Sequence, residues 1–533
     1  MPRNRRRAAL HALALCGVAA LGLAAGAARA EMVLRIATMG EPKTLDPHGV
    51  SGTWENYIVG DAFLGLLTEA ADATPIPGAA ESWTISDDGL VYTFKLRDHT
   101  WSDGTPVTAD DFVFSLRRIL DPATGAEYAS LLYPIKNAEQ INSGEIADPS
   151  ALGVRAIDPQ TLEITLVGPT PFFLELLTHY TAFPVPRHVI EQHGSDWVKP
   201  GNFVGNGAYT VVEWTPNAQV VSVKNPAFYD AENVKIDKVI YYPDEDRGAV
   251  TKRFRAGEID LQDEFASADV AFLKQELPAE TRIFPKLGTY YYVFNQTRPP
   301  FDNPSLRRAL SMAIDREAIM DKLIKTGELP AYGVAPPKTG GEWVPYRPAW
   351  AEQPYAARIE EAKALVAAAG YGPGNPLQVE ISYNTSEDHK RIAVAIQSMW
   401  KALGVQAELV NREIKVHYDT LRQRDFQVAR AGWIADYNDP QNFLYLLETR
   451  SGPQNYGGYS NPEFDRLMIE QGQTNDQAER FKMMQQAEQI AIDDDAWAPI
   501  FYYVSRSLVS QKLKGYEDNV KHIHRARWMS LEG

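Results

Sequence analysis

Cysteine is almost absent from this sequence. Cys16 is the only one in 533 residues, and it lies within the first thirty. The chain beyond residue 30 therefore cannot form a disulfide, a cysteine-ligated zinc site, an iron–sulfur cluster or a thiol nucleophile. A chain of this length buries enough apolar surface to dispense with disulfides even outside the cytoplasm. Basic charge is scarce as well. Beyond residue 30, 48 Lys and Arg face 69 Asp and Glu, a formal charge of −21. Nucleic acid needs clustered Lys and Arg to displace its counterions, and an anionic membrane surface needs the same, so neither is expected as a partner. No run after residue 30 is apolar enough to span a bilayer. Gly-x-Ser-x-Gly, His-Glu-x-x-His and Gly-x-x-x-x-Gly-Lys-Ser/Thr are all missing, and with them the common signatures of serine hydrolysis, zinc proteolysis and ATP hydrolysis. His188/His193 and His522/His524 have no acids at ligand spacing and read as surface histidines. No catalytic group, metal or cofactor is expected.

The N-terminus reads as an address. Arg3-Asn4-Arg5-Arg6-Arg7 is a basic region, and Ala8 to Ala27 an Ala/Leu-rich apolar one. Ala28-Arg29-Ala30 then supplies the small-x-small pattern of signal-peptide cleavage, placing the cut after Ala30. The expectation is export to the periplasm, by the general or the twin-arginine route. With 44% hydrophobic and 23% charged residues the rest is an ordinary globular composition, enough for two to four domains.

Helix and strand signals alternate along the chain. Apolar/polar alternation predicts strands at Val33–Ile36, Val91–Leu96, Thr161–Leu166 and Gln378–Tyr383. Ile392, Ile396, Met399 and Leu403 fall at helical spacing over 387–403, with Gly404 where a C-terminal glycine belongs. Ile359, Ala362, Val366 and Ala369 do the same over 355–369, closed by Gly370. Thr474-Asn475-Asp476-Gln477 reads as a capping box opening a helix. Phe94 to Ser115 reads as a strand, a Ser-Asp-Gly turn and a helix that Thr108 caps at Asp111. Interleaved elements of this kind indicate an α/β fold. Acidic pairs at Asp87-Asp88 and Asp110-Asp111 belong to a turn and a helix start, where they complement backbone dipoles.

Several segments together carry a resemblance. Leu45-Asp46-Pro47-His48, the Trp101 to Ser115 stretch, Asn206-Gly207-Ala208-Tyr209-Thr210 and Arg255 to Asp260 resemble the extracytoplasmic solute-binding proteins (family 5) of peptide ABC importers. Pro330-Ala331-Tyr332-Gly333, Tyr383-Asn384-Thr385-Ser386, Ala429 to Asn438 and Tyr502-Tyr503-Val504 resemble its oligopeptide-binding branch more than the dipeptide or nickel branches. Murein-peptide binders share most of these motifs, so the ligand stays open between ordinary oligopeptides and murein peptides. The resemblance runs from Glu31 to Trp528. It implies a two-lobed periplasmic-binding-protein-like fold (type II, cluster C) with an extra domain inserted in the first lobe. By that resemblance 31–63, 188–288 and 504–533 form domain I, 64–187 the extra domain II, and 289–503 domain III. Hinges would lie near Gly288 and Tyr503-Val504. It also implies short peptides as ligands, a membrane permease and an ATPase as partners, and a monomer.

A peptide brings an ammonium and a carboxylate, and enclosing either without a counter-charge is costly. Asp436 matches the family position that holds the N-terminus; read alone, it is equally a loop Asp capping the turn before Pro440. Phe426–Arg430 alternates like a strand, and a strand edge can pair with an extended peptide without reading its sequence. Gly432 and Ile434 match positions that offer backbone groups, Thr53 and Tyr503 others across the cleft. Tyr128 and Tyr291 match cleft positions, although each is by itself as well read as core packing. Arg430 matches the carboxylate-binding arginine, since a guanidinium grips a carboxylate bidentately. His389 matches a second anchor for longer peptides, or is a surface histidine at a helix start. Leu421 and Ile324 stand where relatives often carry a further arginine and an anchoring lysine; Lys325 is the neighbour that could substitute, although its side chain would leave the backbone in another direction. Asp263-Glu264 reads either as a bias toward basic ligand side chains or as a solvated acidic turn.

Overall fold

The computed structural model describes residues 31–532. The expected leader and its cleavage site lie outside the described residues. Among them, an eleven-stranded mixed sheet organises the chain. Its order is Gln406–Arg412, Gln378–Asn384, Val428–Ile434, Thr281–Phe294, Trp497–Val509, Leu261–Gln262, Val33–Thr38, Lys238–Pro243, Gln219–Lys224, Tyr209–Thr215, with Leu329–Pro330 pairing onto Trp497–Val509. Parallel pairs sit toward both ends: Val33–Thr38 with Lys238–Pro243, and Gln378–Asn384 with Gln406–Arg412. Two long antiparallel strands, Thr281–Phe294 and Trp497–Val509, join the halves. Their register slips between Pro285 and Thr289, opposite Val504 and Tyr502. A slip of this kind bends a strand and locally breaks the ladder, and here it separates the two halves of the sheet.

Each half has its own buried apolar filling. On one side Tyr290, Leu310, Ile392, Ile396 and Trp400 pack together; on the other Leu34, Ile36, Val239 and Leu261 do. Within 64–187 lies a separate antiparallel sheet in the order Ala80–Ile85, Val91–Leu96, Thr161–Thr165, Val154–Asp158. The helix Ala109–Leu120 buries Phe112, Leu116 and Ile119. Its first turn is tied by the reverse bond of the expected cap: Asp111 accepts from the Thr108 N–H at 2.8 Å, and the Thr108 hydroxyl donates to Asp111 at 3.1 Å.

The predicted helices appear as Glu387–Lys401 and Tyr355–Ala368, with Gly404 and Gly370 in the left-handed region at φ 79° and 90°. The last helix, Gln477–Asp493, is capped by Asp476 accepting from the Glu479 N–H at 3.0 Å, rather than by Thr474. No helix among the described residues is long and apolar enough to cross a membrane.

The Asp46-Pro47-His48 motif has a structural role. Asp46 accepts from both terminal nitrogens of Arg118, at 2.6 and 3.2 Å, and a third bond joins Arg118 to His48 Nδ1 at 2.7 Å. It thereby ties the start of the chain to the Ala109–Leu120 helix.

Candidate functional site

The seam between the two halves of the sheet holds a cavity of about 1350 Å³ including its mouth. One wall is the Val428–Ile434 strand. It pairs with Thr281–Phe294 along Gly288 to Phe294, but with Gln378–Asn384 only at Val428 and Ala429. From Ala431 to Ile434 its other edge carries no strand partner among the described residues. An edge of this kind can take an extended chain through main-chain hydrogen bonds.

Asp436 follows directly after that strand. Its carboxylate meets His179 Nε2 at 3.2 Å and accepts from Asn442 Nδ2 at 3.2 Å and from the Tyr128 hydroxyl. Its own N–H donates to Asn442 Oδ1 at 2.9 Å. Burial pushes the carboxyl up, but His179 and these hydrogen bonds more than offset it and hold the group below its ordinary value. Asp436 is thus an ionised carboxylate on the cavity wall.

Arg430, six residues earlier, is buried and also on the wall. It donates to Asn384 Oδ1 at 3.0 Å, to the Tyr418 hydroxyl at 3.2 Å and to the Tyr503 hydroxyl. Its guanidinium lies 4.7 Å from the centre of the Tyr290 ring. No carboxylate among the described residues pairs with it. Burial disfavours its charge, yet the surrounding hydroxyls of Tyr503, Tyr418 and Tyr290, with Glu264, more than compensate. Gly432 makes the arrangement possible: a Cβ there would stand 2.5 Å from the Tyr503 hydroxyl oxygen and 2.9 Å from Arg430 Nη2.

Gly432, Ile434, Thr53, Tyr503, Tyr128 and His389 all line the same cavity. His389 is buried in the first turn of the Glu387–Lys401 helix, not on the surface; its Nδ1 has no partner, and burial, then Arg430, keep it neutral. Tyr291 is the exception. The structure turns it away from the cavity, fully buried and stacked at 3.5 Å on Trp497, and sets Tyr290 on the wall instead. Successive strand residues face opposite sides, so a one-residue difference exchanges wall for core.

Two further expectations change, for Asp263-Glu264 and for His522/His524. Asp263 and Glu264 form no solvated turn: Asp263 is 3% exposed, bonded to the Tyr57 hydroxyl at 2.6 Å and His522 Nε2 at 2.7 Å. Glu264 is held between Arg247 at 2.7 Å and Arg506. Neither is therefore free to select basic ligand groups. His522 and His524 are buried, not on the surface, because they pack at this junction. Ile324 lines the cavity, whereas Lys325 is exposed with φ 61° and cannot replace a cation there. Leu421 is fully buried and off the wall.

Motif reading missed a charged cluster on this wall. Arg506 pairs with Asp388 at 2.7 Å, and Asp388 accepts from the Ser267 N–H at 3.1 Å and hydroxyl at 2.5 Å. Arg247, Glu264, Lys286, Asp388 and Arg506 come from five separate segments, so no local spacing announces them.

The model of bacterial extracellular solute-binding proteins, family 5, matches residues 74–455. The chain is 42% identical over 483 residues to the periplasmic oligopeptide-binding protein OppA of Escherichia coli, covering 89% of this chain and 88% of that protein. The structure of Burkholderia pseudomallei OppA is similar with a TM-score of 0.92 at 36% identity, covering 95% of this chain and all of that one. The Escherichia coli murein tripeptide-binding protein MppA gives 0.91 at 38% identity, covering 94% and 99%. The unliganded open form of MppA gives only 0.65 over the same 94% of this chain and 98% of its own, at 37% identity. Since the compared sequence is nearly the same in both, the drop reflects how the lobes are set. The lobes here stand together rather than apart.

Proposed function

Because this chain belongs to the family 5 bacterial extracellular solute-binding proteins, we propose that it captures short peptides between its two lobes and delivers them to an ABC importer. The observation that carries this reading is Arg430: a buried guanidinium on the cavity wall, paired with no carboxylate among the described residues, with an ionised Asp436 farther along the same chain segment. In this reading the peptide ammonium meets Asp436 and its carboxylate meets Arg430. The unpaired edge from Ala431 to Ile434, including Gly432, bonds its main chain. Thr53, Tyr503, Tyr128 and His389 complete the enclosure.

Main-chain pairing is indifferent to side-chain identity, which suits a carrier of many peptides. Binding on one lobe and closure by the other need only hinge changes at a few residues; the register slip at Pro285–Thr289 and the facing Tyr503-Val504 are where we place them. Domain I is then 31–63, 188–288 and 504–533, domain II 64–187 and domain III 289–503. The family binds rather than transforms its ligand, and the same is proposed here, with no cofactor. The curated relative's periplasmic location, together with the basic and apolar N-terminus, supports export, and the protein is proposed to act as a monomer before docking on a permease and its ATPase.

Mass spectrometry of ligands released from protein purified without denaturation tests the reading. A ladder of ordinary peptides is the expected result. A single diaminopimelate-containing species would move the assignment to murein peptides, and a cavity that takes up no added peptide would overturn it.

A further inference from the structure

Lys286 is a second cation on the cavity wall without an ion pair. It lines the cavity, and among the described residues no carboxylate oxygen comes within 4.0 Å of its Nζ and no hydrogen bond holds it. The two nearest acids are committed elsewhere. Asp263 is bonded to Tyr57 and His522, and Glu264 is held by Arg247 and Arg506. Enclosure lowers the tendency of Lys286 to hold its proton, and Asp263 and Glu264 only partly restore it.

Its position separates it from Arg430. In the antiparallel register Arg430 faces Tyr292, while Lys286 lies six residues earlier on the same long strand, just beyond the Gly288–Ile434 pair. Six residues of strand separate the two backbone positions, and the register slip between Pro285 and Thr289 falls within that stretch. A carboxylate held by Arg430 therefore leaves Lys286 unserved. The slip interrupts strand alternation between them, yet Lys286 and Tyr290 both reach the cavity wall.

Resting on the peptide-capture reading above, we infer that Lys286 receives a second ligand carboxylate, so that the preferred ligands are peptides with an acidic group in their N-terminal half. That chemistry is supplied by an ordinary Asp or Glu side chain and equally by the free α-carboxylate of a γ-linked glutamate in a murein peptide. A charge-assisted hydrogen bond in an enclosed site discriminates strongly against the neutral amide of the same shape.

The test is calorimetric titration of the full protein, freed of ligand, with Ala-Ala-Ala and with the pairs Glu-Ala-Ala/Gln-Ala-Ala and Ala-Glu-Ala/Ala-Gln-Ala. L-Ala-γ-D-Glu-diaminopimelate forms a separate arm. At least one Glu peptide is expected to bind about tenfold more tightly than its Gln partner. Lys286→Met should erase that preference while leaving the Gln peptide's affinity within about threefold, and Lys286→Arg should retain it. Tighter binding of the γ-linked tripeptide identifies a cell-wall source, and tighter binding of the α-linked peptides an ordinary one; either supports the inference. Equal affinities within both pairs, with Ala-Ala-Ala still bound and the γ-linked peptide no tighter than Ala-Ala-Ala, overturn the role of Lys286 and leave peptide capture standing. This comparison within the unaltered protein decides the matter even if the Met variant fails to fold. Failure of every peptide, Ala-Ala-Ala included, removes both.

Discussion

The Arg430 guanidinium lies 4.7 Å from the centre of the Tyr290 ring, held by hydroxyls and an amide oxygen and by no carboxylate among the described residues. Those partners offset the cost of burying the charge without neutralising it, so an arriving anion meets an unpaired cation. Arg430→Met should therefore act far more on affinity than on stability. The ligand-free protein is expected to show only a small loss of thermal midpoint, while peptide affinity falls by about 2–5 kcal/mol. Calorimetry and thermal denaturation of the same preparation check both. A variant that loses as much stability as affinity would show that Arg430 is part of the scaffold.

Tyr290 and Tyr291 divide wall from core. Tyr291→Ala removes a ring fully enclosed against Trp497 and should destabilise the fold by about 3–5 kcal/mol with little change in affinity per folded molecule. Tyr290→Ala removes an equally buried ring, but one that Arg430 lies over, and should weaken binding per folded molecule by about 0.5–2 kcal/mol in addition to destabilising the fold. Active-site titration of the folded fraction separates the two effects, and reversed outcomes would place Tyr291 in the site instead.

These two tyrosines also mark what sequence could and could not resolve. The strands at Val91–Leu96 and Gln378–Asn384 and the helices closed by Gly370 and Gly404 were legible because each is a local pattern with its own terminator. Asp436, Arg430 and Gly432 were named through the family resemblance, which their one short segment carries; read alone, Asp436 was equally a turn cap. Tyr290-Tyr291-Tyr292 gave no such guidance, since three like residues in a row hide the parity that decides which face each takes. The cluster of Arg247, Glu264, Asp388 and Arg506 was illegible for another reason: only the long-range pairing of the sheet brings its segments together.

That cluster bears on closure. Asp388, at the start of the Glu387–Lys401 helix, bonds both Ser267 and Arg506, and so joins the two halves across the cavity. Both side chains of the ion pair are 7% exposed. Asp388→Asn should cost the closed arrangement about 2–5 kcal/mol, because it leaves Arg506 with Glu264 alone. If the contact forms on closure, affinity drops while the ligand-free thermal midpoint changes little. An equal drop in both, or none in affinity, would count against a closing role.

His48 sets a pH dependence that can be tested alone. Arg118 donates to its Nδ1, leaving Nε2–H to face the Phe183 carbonyl at 3.4 Å, so the folded protein holds the neutral ring. Burial lowers its pKa to about 4, with Asp46 opposing the shift and Arg118 adding to it. Since the folded value lies below the unfolded one, the unfolded chain takes up the proton first. Stability is therefore lost as pH falls from about 6.5 toward 4, by up to about 1.4 kcal/mol per pH unit from this residue. Glu488, whose pKa burial raises to about 7 despite three backbone donors, works the other way over part of the same range. It is present in both proteins of a comparison and cancels. His48→Gln can accept from Arg118 and donate to Phe183 without titrating. Denaturant unfolding from pH 7 to 4 should show the variant losing less stability than wild type across that window, and parallel profiles would mean that His48 is protonated in the folded protein.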